Sequence, residues 1–174
     1  SLKSYMFALP SIRRLIAAAL LVAISVLIAW AQLDSTRDQN RLPGTVVATY
    51  PHDSSAFTQG LTVNKGKIYE STGQYGNSSL RRTELETGQI EKILELSDHY
   101  FGEGITVFRD QLYQLTWKSR IGFIYDLETF DVIDTFRFSG EGWGLTNDSE
   151  YLIISDGSSS IRFLDPETFS VIKR

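Results

Sequence analysis

From Phe57 onward the chain copies itself, and no other feature of its 174 residues restricts the fold as much. "FTQGLTV" begins at Phe57, "FGEGITV" at Phe101 and "EGWGLTN" at Glu141. Aligned on their shared glycine they place Gly60, Gly104 and Gly144 at intervals of 44 and 40 residues. An aliphatic residue and a threonine follow each time: Leu61-Thr62, Ile105-Thr106 and Leu145-Thr146. A second marker keeps the same register, with Glu86-Thr87, Glu128-Thr129 and Glu167-Thr168. Between the markers, short apolar runs with a period of two alternate with Gly, Asp and Asn turns, and nothing there repeats at 3.6 residues. About four short strands per unit of this length is the pattern of β-propeller blades, with the Glu-Thr segment turning between the two outer strands. An ordinary β-sandwich is the competing architecture, but a sandwich does not ask for identity at a constant register.

Three units fit before Arg174, and a propeller closes with about four blades at least. The chain ends on "FSVIKR", inside an expected outer strand. The expectation is an all-β partial propeller over residues 46–174, with one or two further blades missing at the C-terminal side.

The N-terminal part reads differently. Leu15 to Ala31, "LIAAALLVAISVLIAWA", carries no charge, follows Arg13-Arg14 and ends on Ala29-Trp30-Ala31. A basic start, an apolar run and a small-x-small ending describe a secretory signal peptide. A retained hydrophobic helix is the alternative, because seventeen apolar residues stand at the lower limit for crossing a bilayer. Residues 1–31 are therefore expected to be a signal peptide or anchor, with Met6 as the natural start, and residues 32–45 a polar linker. Either way the β domain is exported, to a periplasmic or extracellular location, and any membrane contact runs through residues 15–31. The absence of cysteine excludes disulfides and thiolate chemistry. A net charge of −4 gives no footprint for nucleic acid.

In a repeat, the positions that differ carry the information. Just before the shared glycine stand Gln59, Glu103 and Trp143; after "YEST", "YQLT" and "LIIS" stand Gly73, Trp117 and Asp156. Equivalent positions of successive blades ring the central channel. The expected site therefore gathers an amide, a carboxylate and two indoles, with Phe57, Phe101 and Glu141 close by. A carboxylate among aromatic groups has its pKa raised and suits proton transfer. Structural roles compete at each position: Trp117 and Trp143 as core, Gln59 as a partner for backbone, Glu103 as an acceptor for backbone N–H groups. His52 and His99, the only histidines, fall in turns and do not form a metal cluster. "GEGWG" is not followed by a helix, which removes a phosphate-loop reading.

The segments "YPHDSSAFTQGL", "YESTGQYGNSSLR", "YFGEGIT", "LYQLTW", "GEGWGLT" and "SDGSSSIRFLDPETF" together resemble the glutamine cyclotransferase family, the plant-type glutaminyl-peptide cyclotransferases and their bacterial relatives. The resemblance covers residues 46–174. It implies a five-bladed propeller that converts an N-terminal glutaminyl residue of peptides or proteins to pyroglutamate and releases ammonia. It further implies no cofactor and no metal, Glu103 as the essential acid, and Phe57, Gln59, Phe101, Trp117 and Trp143 as pocket residues, with Glu141 beside them. Family residues from later blades, including a basic side chain and another tryptophan, have no counterpart here. The expected partner is an N-terminal glutaminyl peptide, and the expected state a monomer. Two other readings stay open: a metal-dependent propeller lactonase using oxygens of Glu103, Glu141, Asp156 and Gln59, and an exported propeller that only binds or scaffolds.

Overall fold

The computed structural model describes residues 44–174. The N-terminal signal or anchor, and most of the linker, lie outside the described residues. Among the described residues no helix is long and apolar enough to cross a membrane. The β domain forms its own compact unit from Ala48 to Arg174.

That unit is all β: twelve strands in three four-stranded antiparallel sheets, each built from strands consecutive in the chain. The first sheet holds β1 (Thr58–Asn64), β2 (Lys67–Thr72), β3 (Ser79–Glu84) and β4 (Ile90–Glu95). The second holds β5 (Gly102–Phe108), β6 (Gln111–Thr116), β7 (Ile121–Asp126) and β8 (Val132–Arg137). The third holds β9 (Leu145–Asn147), β10 (Leu152–Ser155), β11 (Ile161–Leu164) and β12 (Val171–Lys173). The three sequence units and the three sheets coincide. Gly60 and Gly104 sit inside inner strands, whereas Gly144 stands one residue ahead of β9. There the Ser155 hydroxyl takes the Gly144 amide at 2.9 Å in place of a ladder bond.

The repeated Glu-Thr marker has a local physical basis. Asp126 Oδ1 accepts the amides of Glu128 and Thr129, and Asp165 Oδ1 accepts those of Glu167 and Thr168, at 2.7–2.9 Å. The residue after the threonine then turns left-handed: Gly88 at φ 68°, Phe130 at 59° and Phe169 at 56°. Glycine adopts this conformation freely and phenylalanine does not. Packing offsets the strain: Phe130 is buried, and the Phe169 ring stacks on Phe136 at 4.3 Å.

Apolar faces meet between sheets. Tyr69 and Leu80 of the first sheet pack on Ile105, Leu112, Tyr125, Leu127 and Phe130 of the second. Phe108, Tyr113, Leu115, Phe136 and Phe138 of the second meet Leu145, Leu152, Ile154 and Leu164 of the third. A polar thread crosses the first seam: Gln114 Nε2 donates to Ser71 Oγ at 2.7 Å, while Tyr125 Oη donates to Gln114 Oε1 at 2.8 Å.

At the inner edge the backbones themselves touch. A Cβ added at Gly60 would stand 2.7 Å from the Ile105 nitrogen and 2.9 Å from the Glu103 oxygen. One added at Gly104 would press on the Leu145 nitrogen and lie 2.5 Å from the Trp143 oxygen. The repeated glycine is thus the seat for the next sheet's inner strand. Replacing Gly104 with alanine forces backbone against backbone and is expected to lower unfolding stability by about 2–3 kcal/mol. Gly144→Ala, which meets only the movable Ser155 hydroxyl, is expected to cost under about 1 kcal/mol. Urea unfolding of the two variants measures the difference; equal losses would contradict the seam.

Candidate active site

The sequence places glycine on both sides of Glu103, and the two glycines answer to different neighbours. A Cβ at Gly102 would lie 2.5 Å from the Thr72 oxygen of the first sheet, whereas Gly104 is closed by the third. The Gly104 amide also donates to the Trp143 oxygen at 2.7 Å. Glu103 is therefore carried on a backbone gripped from both flanks.

The strand register is broken at the same place. Gly102 pairs with Thr116 and Ile105 with Gln114, so Glu103 and Gly104 together oppose one residue of β6. In the first sheet Thr58 pairs with Thr72 and Gly60 with Ser71, which leaves Gln59 as the extra residue. Both are β-bulges, which bend a strand and re-aim a side chain. Here they turn Gln59 and Glu103 toward each other, and Gln59 Nε2 donates to Glu103 Oε1 at 3.1 Å.

The two side chains open into a cavity of about 500 Å³ lined by Phe57, Gln59, Phe101, Glu103, Trp117, Trp143, Gly144 and Ser155. Six of the seven residues expected from the sequence meet there. Phe101 is the hub of the aromatic wall, in edge contact with Phe57 at 6.2 Å, Tyr75 at 5.5 Å and Trp117 at 5.4 Å. Gly73 makes room for it, since any side chain at that position would strike the Phe101 ring. Gly157 does the same for Trp143, whose indole would lie 2.8 Å from an added Cβ.

Glu141, the seventh, does not line the cavity. Its Oε2 accepts the indole N–H of Trp117 at 2.6 Å and that of Trp143 at 3.0 Å. Asp156 is also turned away: it pairs with Arg162 at 3.2 Å and accepts from Ser158. The oxygen set of the lactonase reading is thus divided among other partners. Among the described residues no three His, Cys, Asp or Glu side chains cluster as metal ligands. His52 lies 3.0 Å from the buried Glu70 carboxylate, and His99 is exposed.

Two contributors were not picked out from the sequence. Ser155 occupies the repeat position of Thr72 and Thr116, so its place on the inner ring was readable, but a small hydroxyl among small hydroxyls carries no signal. Tyr75 falls in a loop after the first unit's second strand, where the other units have no equivalent tyrosine.

The carboxylates of the site have opposite electrostatics. Burial pushes the Glu103 carboxyl up from 4.5 to about 7; the bond from Gln59 works against this and the Glu141 charge adds to it. Glu141 is held below its ordinary value, first by the Trp143 N–H and then by that of Trp117, with Lys118 and Arg120 assisting. The two carboxyls are thus shifted in opposite directions, Glu103 upward and Glu141 downward.

A family model described as "Glutamine cyclotransferase" matches residues 17–174. The chain is 42% identical over 128 residues to the glutaminyl-peptide cyclotransferase of Arabidopsis thaliana, which covers 72% of this chain and 40% of that protein. The crystal structure of Myxococcus xanthus glutaminyl cyclase superimposes with a TM-score of 0.68 at 35% identity, covering 74% of this chain and 54% of that one. The Neurospora crassa Pan2 WD40 domain, 12% identical with a TM-score of 0.55 over 67% of this chain and 35% of its own, shows the propeller fold alone. This chain thus spans about 40% of the length of the curated relative and about half that of the solved one.

The raised Glu103 value carries a stability consequence with a definite sign. The folded value lies above the unfolded one, so the protonated form favours folding. That contribution is complete below about pH 4.5 and is lost as pH rises through about 7. Glu103→Gln escapes the loss. Its stability relative to the wild type is expected to rise by up to about 3 kcal/mol between about pH 4 and about pH 8.5. Urea unfolding across this range measures it, and a difference that stays constant with pH would contradict the burial.

Proposed function

This chain belongs to the glutamine cyclotransferase family, and from that premise we propose that its cavity binds an N-terminal glutaminyl residue and converts it to pyroglutamate with release of ammonia, Glu103 carrying the proton. The observation behind the proposal is a buried carboxyl, pushed up to about 7, in the lining of an aromatic cavity.

The reaction needs one bond made and one broken at the same carbon. The free α-amine attacks the side-chain amide carbon, and the new C–N bond closes a five-membered ring. The amine nitrogen must lose a proton, and the departing amide nitrogen must gain one before it leaves as ammonia. Ionised Glu103 accepts the first proton and, now neutral, delivers one to the leaving nitrogen. The carboxylate is then regenerated and no outside reagent is consumed. A value close to ambient pH serves both halves of this transfer. Gln59 donates to one Glu103 oxygen and holds the carboxyl in a fixed orientation, leaving the other free for the substrate.

Because nucleophile and electrophile belong to one residue, the remaining task is to hold the side chain curled. Phe57, Phe101, Trp117 and Trp143 offer flat apolar walls for this, and confinement of the reacting groups can supply a large share of the acceleration. The uncharged run from Leu15 to Ala31 supports export as part of the same reading, with the protein acting as a monomer on peptide N-termini.

Glu103→Gln matches the carboxyl in size and keeps the bond to Gln59, yet cannot shuttle a proton. Ammonia release from a Gln-initiated peptide is expected to fall by about 10²- to 10⁴-fold while the fold is kept. Trp143→Ala is expected mainly to raise KM, with a smaller fall in kcat from poorer positioning. Near-full activity in folded Glu103→Gln would place the proton transfer elsewhere. A wild-type protein that binds the peptide without releasing ammonia would favour the scaffold reading.

A further inference from the structure

The arrangement around Glu141 is more specific than a charge beside a pocket requires. One oxygen receives two indole N–H donors from two different sheets: Trp117 follows β6 of the second, Trp143 precedes β9 of the third. Trp143 is nearly half exposed, at 47%, and its indole N–H goes to Glu141. Trp117 is gripped at its edge by Glu141, on a face by Lys118 at 3.9 Å, and against Phe101 at 5.4 Å. Without an acceptor at this point, two indoles on adjacent sheets would each choose a rotamer independently, and burying their N–H groups against substrate would leave donors unpaired.

We propose that Glu141 is a positioning residue for the cyclisation: by joining both indole N–H groups to one carboxylate it fixes Trp117 and Trp143 as a paired wall that confines the curled glutaminyl side chain. The inference rests on the cyclotransferase reading for its catalytic consequence, but the clamp itself is a property of the folded protein. The Glu141 charge also acts on Glu103 and raises its pKa. The charged groups around Glu141 are Lys118 and Arg120, from the β6–β7 connection, and Glu103; the groups facing Glu103 are Gln59 and Glu141. Removing the charge at 141 therefore relaxes Glu103 toward lower pH as well as freeing the indoles.

Two variants separate the effects. Glu141→Ala removes both the acceptor and the charge, whereas Glu141→Gln removes the charge and retains a carbonyl that can accept an indole N–H. The first readout needs no activity: the indole N–H signals of Trp117 and Trp143 in proton–nitrogen correlation spectra, assigned by substitution of each tryptophan. In Glu141→Ala both signals are expected to move upfield together and to exchange faster with solvent; in Glu141→Gln at least one stays bonded. Unchanged signals in Glu141→Ala overturn the clamp whatever the enzyme does. The second readout is cyclisation of a Gln-initiated peptide. Glu141→Ala is expected to raise KM roughly ten-fold and lower kcat by a similar factor. Glu141→Gln is expected to recover much of KM while the low-pH limb of kcat/KM shifts to lower pH. Kinetic constants unaltered in an active Glu141→Ala variant would overturn the positioning role. If the wild-type chain shows no cyclisation, the proposed function fails, and the spectra still decide whether Glu141 holds the pair.

Discussion

Three inner strands approach so closely that their backbones touch, and the rest of the molecule follows from that contact. Gly60 seats the inner strand of the second sheet, and Gly104 that of the third. A second set of glycines repeats the arrangement in the other direction: Gly102 lies against the Thr72 oxygen, and Gly142 against the Thr116 oxygen, each with 2.5 Å left for a Cβ. Side chains cannot fill such a gap, so glycine is required by space and not by dihedral angle. Farther out, where the sheets diverge, Leu80 against Leu112 and Leu115 against Ile154 belong to the apolar clusters that fill the widening wedge. Close backbone at the axis and large apolar residues outside are two consequences of one geometry.

The functional site is a by-product of the same closeness. A residue placed between two seat glycines cannot point into the seam, because the seam is already occupied by backbone. Its side chain has to leave along the axis. The bulges at Gln59 and Glu103 complete this by rotating each side chain out of the ladder. Glu103 is then 9% exposed, flanked by main chain and facing aromatic rings, and its charge is poorly solvated. Burial raises its pKa, while the neighbouring Glu141, satisfied by two N–H donors, remains ionised. The contrast between the two carboxyls comes from burial at Glu103 and from the two indole N–H donors at Glu141.

Much of this was legible in the residues. The constant glycine, the following Thr and the Glu-Thr turns disclose the number of sheets, the strand order and the outer turns, because each marker answers a backbone requirement that every blade shares. The variable positions disclose which side chains converge, and six of the seven expected residues do meet in one cavity. Three things were not legible. The bulges leave no mark beyond a glycine that also serves the seam, so register could not be read. Glu141 shows only that it stands near the third unit's glycine; its service to two indoles depends on rotamers set by sheets distant in sequence. Gly144 looks identical to Gly60 and Gly104 in the alignment, yet stands just outside β9: its carbonyl accepts the Ser155 amide, while its own amide goes to the Ser155 hydroxyl and the Ser155 carbonyl is taken by the Trp143 amide.

Glu103 holds its proton near neutral pH because two neighbouring sheets pinch its backbone and keep water from its carboxyl. Carbon-13 NMR of protein labelled at the glutamate carboxyl carbons tests this without reference to turnover, with the Glu103 signal assigned by its loss in Glu103→Gln. A titration midpoint of about 7 is expected for Glu103. A midpoint at or below 4.5 would contradict it, since a carboxyl that ionises there is solvated like any surface glutamate and gains nothing from the seam.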